Sequence, residues 1–220
     1  MYMIIVGAGE IGSSLIDIAT RGPNNIVVIE ADPDRATRIS QEYDVTVLST
    51  DATSADILKE AGADRADAIV ATTSNDATNL MIISLGEELG IPSLVSVVNN
   101  KTHTDLFRKL GANVMENPEE LVAEYLYNAV KRPKIKDFMT LSGGARVFKV
   151  TISEGSSMAD KNLKEAVQEG ALPDSTLVIA IERGGDVIVP SGETVIKGGD
   201  ALTIFSEKWT SDELVEKITG

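Results

Sequence analysis

The run Gly7-Ala8-Gly9-Glu10-Ile11-Gly12 most constrains what this chain can become, because it stands directly behind the apolar residues 3–6 and directly before an amphipathic segment at 11–20. Three glycines at that spacing suit a strand that turns sharply into a helix. The first permits the tight turn, the second lets a phosphate approach the backbone, and the third lets helix and strand pack closely. The helix N-terminus then faces an anion with free N–H groups and the positive end of its dipole. Glu30 ends the next apolar run, 26–30, about twenty residues further on. A carboxylate there accepts hydrogen bonds from a ribose hydroxyl pair and repels a 2′-phosphate. The same pattern also fits a related fold that has lost its ligand.

The alternation continues. Apolar, β-branched runs at 3–6, 26–30, 45–48, 68–71, 94–98 and 114–115 are separated by helical patterns at 11–20, 33–43, 54–61, 76–89 and 102–110. In the third helix Ser54 is a candidate N-cap and Gly62 takes the position just past the end. Strand and helix alternating this regularly make right-handed βαβ units. The fold class is α/β, a doubly wound parallel sheet with expected order 3-2-1-4-5-6 and a ligand crevice between strands one and four. A helix at 119–130 follows, with Leu121, Val122, Tyr125, Leu126 and Ala129 on one stripe that packs either on its own domain or on a partner. Lys131-Arg132-Pro133-Lys134 stops it and reads as a linker.

Beyond the linker the pattern shortens. Alternating strands at 146–152 and 176–182, a short helix at 163–167, and glycine turns at 183–186 and 197–200 leading into strands at 187–190 and 201–205 describe a small α+β C-terminal domain. A last helix is expected at 211–218, capped by Ser211. The two domains are 1–132 and 136–220.

Two further segments should reach the crevice. Ser49-Thr50-Asp51-Ala52-Thr53 leaves the third strand, with Asp51 able to accept from an adenine amino group. Thr72-Thr73-Ser74 leaves the fourth strand at the switch point, where hydroxyls and free N–H groups suit ribose or phosphate; for Ser74 and Asp76 plain helix capping is an equal alternative. Chemistry beyond binding is not evident. There is no cysteine, His103 is the only histidine and reads as a surface residue, and no carboxylate cluster reads as a metal site. No nucleophile–base pair declares itself, so no catalytic residue is assigned. The formal net charge is −14 and both domains are acidic, against a phosphate-backbone partner such as nucleic acid. The acidity suits solubility, a salty cytosol, or attraction to cations or a basic partner. No run approaches the roughly 20 apolar residues of a membrane span, and no leader is evident, so the chain is expected to be intracellular.

The order GAGEIG, VVIEADP, STDATSADILKEAGADRADAIVATTSNDATN and LFRKLGAN resembles the regulatory family called RCK or KTN, which includes the Trk and Ktr potassium-uptake subunits and the gating rings of potassium channels. The second half is similar to the family's C-terminal ligand domain. The matching residues are Ser153-Glu154-Gly155-Ser156, Leu172-Pro173, Ile181-Glu182-Arg183-Gly184-Gly185, Val189-Pro190-Ser191-Gly192-Glu193-Thr194 and Gly198-Gly199-Asp200. The resemblance implies a Rossmann domain that binds NAD(H) or ATP/ADP through Gly7, Ala8, Gly9, Glu10, Ile11, Gly12, Glu30, Asp51, Ala52, Thr73 and Ser74. It also implies a non-enzymatic subunit, cytoplasmic and held at the inner face of the cell membrane, that pairs with itself, builds a larger ring and gates a membrane potassium transporter or channel. The 118–130 helix is the candidate crossover between paired chains. One departure is plain: Val97, in Ser96-Val97-Val98, stands where the family often has an arginine reaching the phosphates, and Lys101 follows in the next loop. Two other readings remain, a NAD-dependent oxidoreductase and a nucleotide sensor acting on a partner unrelated to potassium.

Overall fold

The computed structural model describes residues 1–141, 143–173 and 175–207, and the helix expected at 211–218 lies outside them. The chain divides into two compact units, Met1–Glu120 and the residues from Leu121 onward.

In the first unit, β1 (Tyr2–Val6), β2 (Asn25–Glu30), β3 (Thr46–Ser49), β4 (Ala68–Ala71), β5 (Ser93–Val98) and β6 (Asn113–Glu116) form one parallel sheet in the order β3-β2-β1-β4-β5-β6. Between them run α1 (Glu10–Thr20), α2 (Pro33–Glu42), α3 (Ala55–Glu60), α4 (Asp76–Glu88) and α5 (Thr104–Lys109). Strand alternation sorts the core into two layers. Met3, Ile5, Ile26, Val28 and Val70 meet Ile16 and Ala19 of α1 and Ile39 of α2. Ile4, Val6, Val27, Ile29 and Ile69 meet Leu58 of α3, Ile82 and Ile83 of α4 and Phe107 of α5. Because both faces are covered at the centre of the sheet, β1, β2 and β4 are apolar along nearly their whole length and read as continuous runs. Each fully buried Ile or Phe stabilises this unit by about 1.5–3 kcal/mol relative to exposure.

Local chemistry fixes the helix ends. Asp32 caps α2, its Oδ1 accepting from the N–H groups of Asp34 and Arg35, with Pro33 in the first turn. Ser54 occupies the cap position of α3 but its hydroxyl makes no cap bond, so only its place was foreseen. The helix expected at 102–110 divides into a 3-10 turn at Lys101–His103 and α5.

The second unit begins within α6 (Pro118–Lys131). The last part of that helix is tied down locally: the Thr140 hydroxyl donates to Glu124, and the guanidinium of Arg132 to Asn128, which is buried. Five antiparallel strands follow, β7 (Ile135–Thr140), β8 (Arg146–Thr151), β9 (Thr176–Arg183), β10 (Asp186–Ile188) and β11 (Ala201–Ser206), in the order β10-β9-β11-β8-β7. One face buries Phe148, Val150, Val178, Ile181, Leu202 and Ile204 with Leu163 and Ala166 of α7 (Leu163–Gln168). Helix α7 starts on a capping box between Asn162 and Glu165. Strand β7 was not expected: its register shifts between Lys136 and Met139, and Asp137 has φ +49, which breaks the two-residue alternation.

Candidate functional site

Strands β1 and β4 lie side by side and end together at Val6 and Ala71. The chain leaves one toward β2 and reaches the other from β3, so the sheet order reverses between them. In open sheets of this kind the crevice at the carboxyl ends of such a pair receives ligands.

The glycine loop crosses that point, and its three glycines are not equivalent. Gly7 has φ +94, and a Cβ there would lie 3.1 Å from the Thr73 methyl and 3.2 Å from the Thr72 carbonyl carbon. A Cβ on Gly12 would lie 2.0 Å from the Gly7 carbonyl oxygen and 2.8 Å from Thr72 Oγ1. Both glycines are therefore required by the chain's own packing. Gly9 differs. Its φ of −68 and ψ of −165 are open to any residue, and a Cβ there would meet nothing within 4 Å. The N–H groups of Glu10, Ile11 and Gly12 take no acceptor among the described residues, and Ser13, whose N–H donates to Gly9, begins the helical bonding.

Thr72 clamps the loop from β4. Its Oγ1 donates toward the Gly7 carbonyl at 2.8 Å and the Val6 carbonyl at 3.1 Å, and its N–H donates to Val6. Glu30 clamps it from β2. That carboxylate is 4% exposed, accepts from the Ala8 N–H at 2.6 Å and the Asp32 N–H at 2.8 Å, and pairs with Arg35 Nη2 at 3.1 Å. Glu30 thus holds the loop as well as bordering the crevice, and one acceptor position on Oε2 remains for a hydroxyl.

On the far side, Thr73 and Ser74 play different parts. The Thr73 hydroxyl and N–H both donate to Oδ1 of Asn79, which is wholly buried and whose amide donates to the Thr73 and Val97 carbonyls. Ser74 is exposed, and the cap of α4 is Asn75, whose Oδ1 accepts from Thr78 N–H, so capping does not account for Ser74. Nor does Asp76 cap α4. Its two oxygens accept from the N–H groups of Asn99 and Asn100 and the Asn99 amide, and Oδ2 lies 2.8 Å from His103 Nδ1. Burial pushes the Asp76 carboxyl up, but these donors outweigh it and hold the group below the usual carboxylate range. His103 is thereby a partner of the β5 loop.

Asp51 stands exposed beyond β3, its Oδ1 accepting from the N–H and hydroxyl of Thr53, which hold its carboxyl below the ordinary value. Ala52 is buried in the sheet core, so its side chain belongs to the fold. Glu10 is exposed in the first turn of α1, and Ile11 beside it is 42% exposed. Val97 is buried and contributes no polar side chain. Arg35 and Asn99 were not picked out from the sequence. The Asp32-Pro33 helix start was the available signal for Arg35, since a cap there brings the third residue of the helix back over the end of β2.

Among the described residues no helix is long and apolar enough to cross a membrane. The chain is 28% identical over 221 residues to a protein of Methanothermobacter thermautotrophicus named Trk system potassium uptake protein TrkA homolog, with all of both chains covered. It is 30% identical to a homologue of the same name from Archaeoglobus fulgidus, covering 97% of this chain and 48% of the relative. Among solved structures, the GsuK channel bound to NAD matches over the whole chain and 39% of its own length, with TM-score 0.64 and 20% identity. The GsuK RCK domain matches over 98% of this chain and 46% of its own length, with TM-score 0.63 and 19% identity. At those identities the structural likeness establishes the fold. The TrkA-N domain profile matches residues 3–118, which hold the parallel sheet except Tyr2 together with the glycine loop, and the TrkA-C domain profile matches residues 147–218. The chain therefore belongs to the TrkA-N family and carries a TrkA-C domain behind it.

Proposed function

We propose that this protein is a nucleotide-responsive regulatory subunit of a membrane potassium transport system, with residues 1–132 as the nucleotide-binding domain and its crossover helix, and residues 136–220 as the regulatory domain. The observation that carries the ligand is Gly9. The fold demands glycine at Gly7 and Gly12 but leaves open space at Gly9, beside three amides without acceptors, so a ligand's phosphate accounts for what the chain itself does not. Gly7, Ala8, Gly9, Glu10, Ile11 and Gly12 would border the phosphates through backbone, and Glu30 would offer its remaining acceptor to ribose. Asp51 and Ser74, both exposed, would reach the adenosine and phosphate ends, while Ala52 and Thr73 hold their loops in shape.

The ligand is NAD(H) or an adenine nucleotide. The fold neighbour named for NAD supports that class, and the relatives named for potassium uptake support the output. The same relatives support a regulatory rather than catalytic role.

Passing a signal to a pore requires an assembly. Helix α6 supplies a surface for it, with Leu121, Val122, Tyr125, Leu126 and Val130 all exposed. A second copy docking there would make the dimer from which a ring is built, at the inner face of the membrane. The test is potassium uptake in cells that keep the matching transporter but lack its regulatory subunit. This protein should restore nucleotide-dependent uptake, and Gly9→Val should not. Failure to form a complex with a potassium transporter from its own cell would refute the role, and equal rescue by Gly9→Val would refute nucleotide control.

A further inference from the structure

The nucleotide reading leaves open how this site treats phosphate charge, and the segments leaving the carboxyl ends of the six strands bear directly on it. Near them stand four basic side chains, Arg35, Arg38, Lys101 and His103. Arg35 is paired with Glu30 and lies 3.9 Å from Asp32, and His103 is engaged by Asp76. Lys101 makes no ion pair among the described residues, nor does Arg38, whose charge acts on Asp32. Against these stand Glu30, Asp32, Asp51 and Asp76, together with Glu10, whose carboxylate is exposed in the first turn of α1 where the phosphate-facing amides are. An acid at that position is itself stabilised by the helix N-terminus, so it draws on the same field that would attract a phosphate. The end of β5, which closes the crevice beyond β4, presents the buried, apolar Val97.

Resting on that nucleotide reading, we infer that Glu10 is a specificity-determining residue that turns the site against highly charged phosphate chains, so that it selects a dinucleotide over ATP. The physical basis is Coulombic. The two bridging phosphates of a dinucleotide are singly ionised, and the free amides at Glu10, Ile11 and Gly12 are what the loop offers them. A triphosphate adds a further, doubly ionised group at the same amides, so the exposed Glu10 carboxylate opposes it more strongly than it opposes a dinucleotide, with Lys101 and Arg38 the cations near the strand ends that make no ion pair among the described residues. Like charges at such separations in a partly exposed site change affinity by about tenfold.

The experiment is titration calorimetry of the full chain with NAD, ADP and ATP, without divalent cations, for wild type, Glu10→Gln and Glu10→Arg. Glu10 is exposed and its side chain makes no hydrogen bond among the described residues, so both variants should fold, which circular dichroism checks. In wild type, ATP should bind about tenfold or more weakly than NAD. Glu10→Gln should narrow that gap and Glu10→Arg should close or invert it, because affinity for NAD rises by a smaller factor than affinity for ATP. ATP binding as tightly as NAD in wild type, or a gap that Glu10→Arg leaves unchanged, would overturn the inference while leaving the nucleotide site intact. No binding of any of the three would overturn the nucleotide reading and the inference with it.

Discussion

Replacing Gly9 and Gly12 separately should split folding from binding. In Gly12→Ala the new methyl would sit 2.0 Å from the Gly7 carbonyl oxygen, against the roughly 3.3–3.6 Å at which carbon rests on such an oxygen. Helix α1 must then move off β1 by about an ångström, an overpacking cost of roughly 1–3 kcal/mol. The Thr72 hydroxyl, 2.8 Å from the same oxygen, is displaced too, a further loss of about 0.5–1.5 kcal/mol. Alanine's better helix propensity returns up to about 1 kcal/mol. The net is a destabilisation of about 0.5–4.5 kcal/mol, centred at about 2.5 and large against a total of roughly 5–15 kcal/mol. In Gly9→Val the side chain enters open space and the backbone is already extended, so stability should fall by about 1 kcal/mol at most, as for a weakened N-cap. Nucleotide binding should nevertheless disappear. Urea unfolding and calorimetry on both variants decide the matter. A Gly12→Ala protein as stable as wild type would refute the packing argument, and a Gly9→Val protein that binds with wild-type affinity would refute the phosphate reading of Gly9.

Glu30→Ala strands the buried Ala8 N–H, so urea unfolding should show a loss of about 1–3 kcal/mol together with weaker nucleotide binding; Glu30→Gln, which keeps one acceptor where Glu30 uses two, should recover only part of the stability. Charged residues in place of Leu121 and Tyr125 should reduce the mass seen by light scattering to that of a monomer without unfolding the first unit, and a wild type that is already monomeric would contradict the assembly surface. In the second unit Asp200 is 1% exposed and takes a two-pronged bond from Arg183, at 2.8 and 2.7 Å, and another from the Lys197 N–H. Arg183 and then that N–H hold its carboxyl below the ordinary range despite burial, so its contribution is complete above about pH 4 and is lost as pH falls through the folded-state value. Asp200→Asn should lower the urea midpoint at neutral pH and flatten the acid end of the stability profile, and an unchanged profile would count against the pair.

What was legible in the sequence was whatever a periodic pattern or a glycine enforces. The six parallel strands, their order and the loop at the switch point follow from residues such as Ile4, Ile5, Val27 and Val28, each of which meets one covered face of the sheet. Less legible were side chains whose partners lie far away in the chain. Asp76 stands at the start of a helix and looks like a cap, yet its bonds go to Asn99, Asn100 and His103, which only the pairing of β4 with β5 brings near. Glu30 looked free for a ribose, but the loop folds back to place the Ala8 N–H on it, a contact 22 residues apart in sequence. Strand β7 escaped because its bulge interrupts the alternation that marks a strand.

These long-range ties also bear on how a bound nucleotide could act at a distance. A ligand shifts an equilibrium only if it binds one arrangement better than another. The segments at the crevice are cross-linked in series: Glu30 of β2 holds Ala8, Thr72 of β4 holds Gly7, Asn79 joins the loop after β4 to Val97 of β5, and Asp76 joins α4 to the turn before α5. A phosphate drawn onto the first amides of α1 therefore meets a frame that resists local adjustment, since each loop is held by a bond to its neighbour. Rigid frames pass displacement to their edges, and β6, the strand at the edge beyond β5, runs within two residues into the exposed apolar surface of α6. In the proposed regulatory role, that edge is where the binding energy would be expressed, as a preference between two packings of α6 against a second copy.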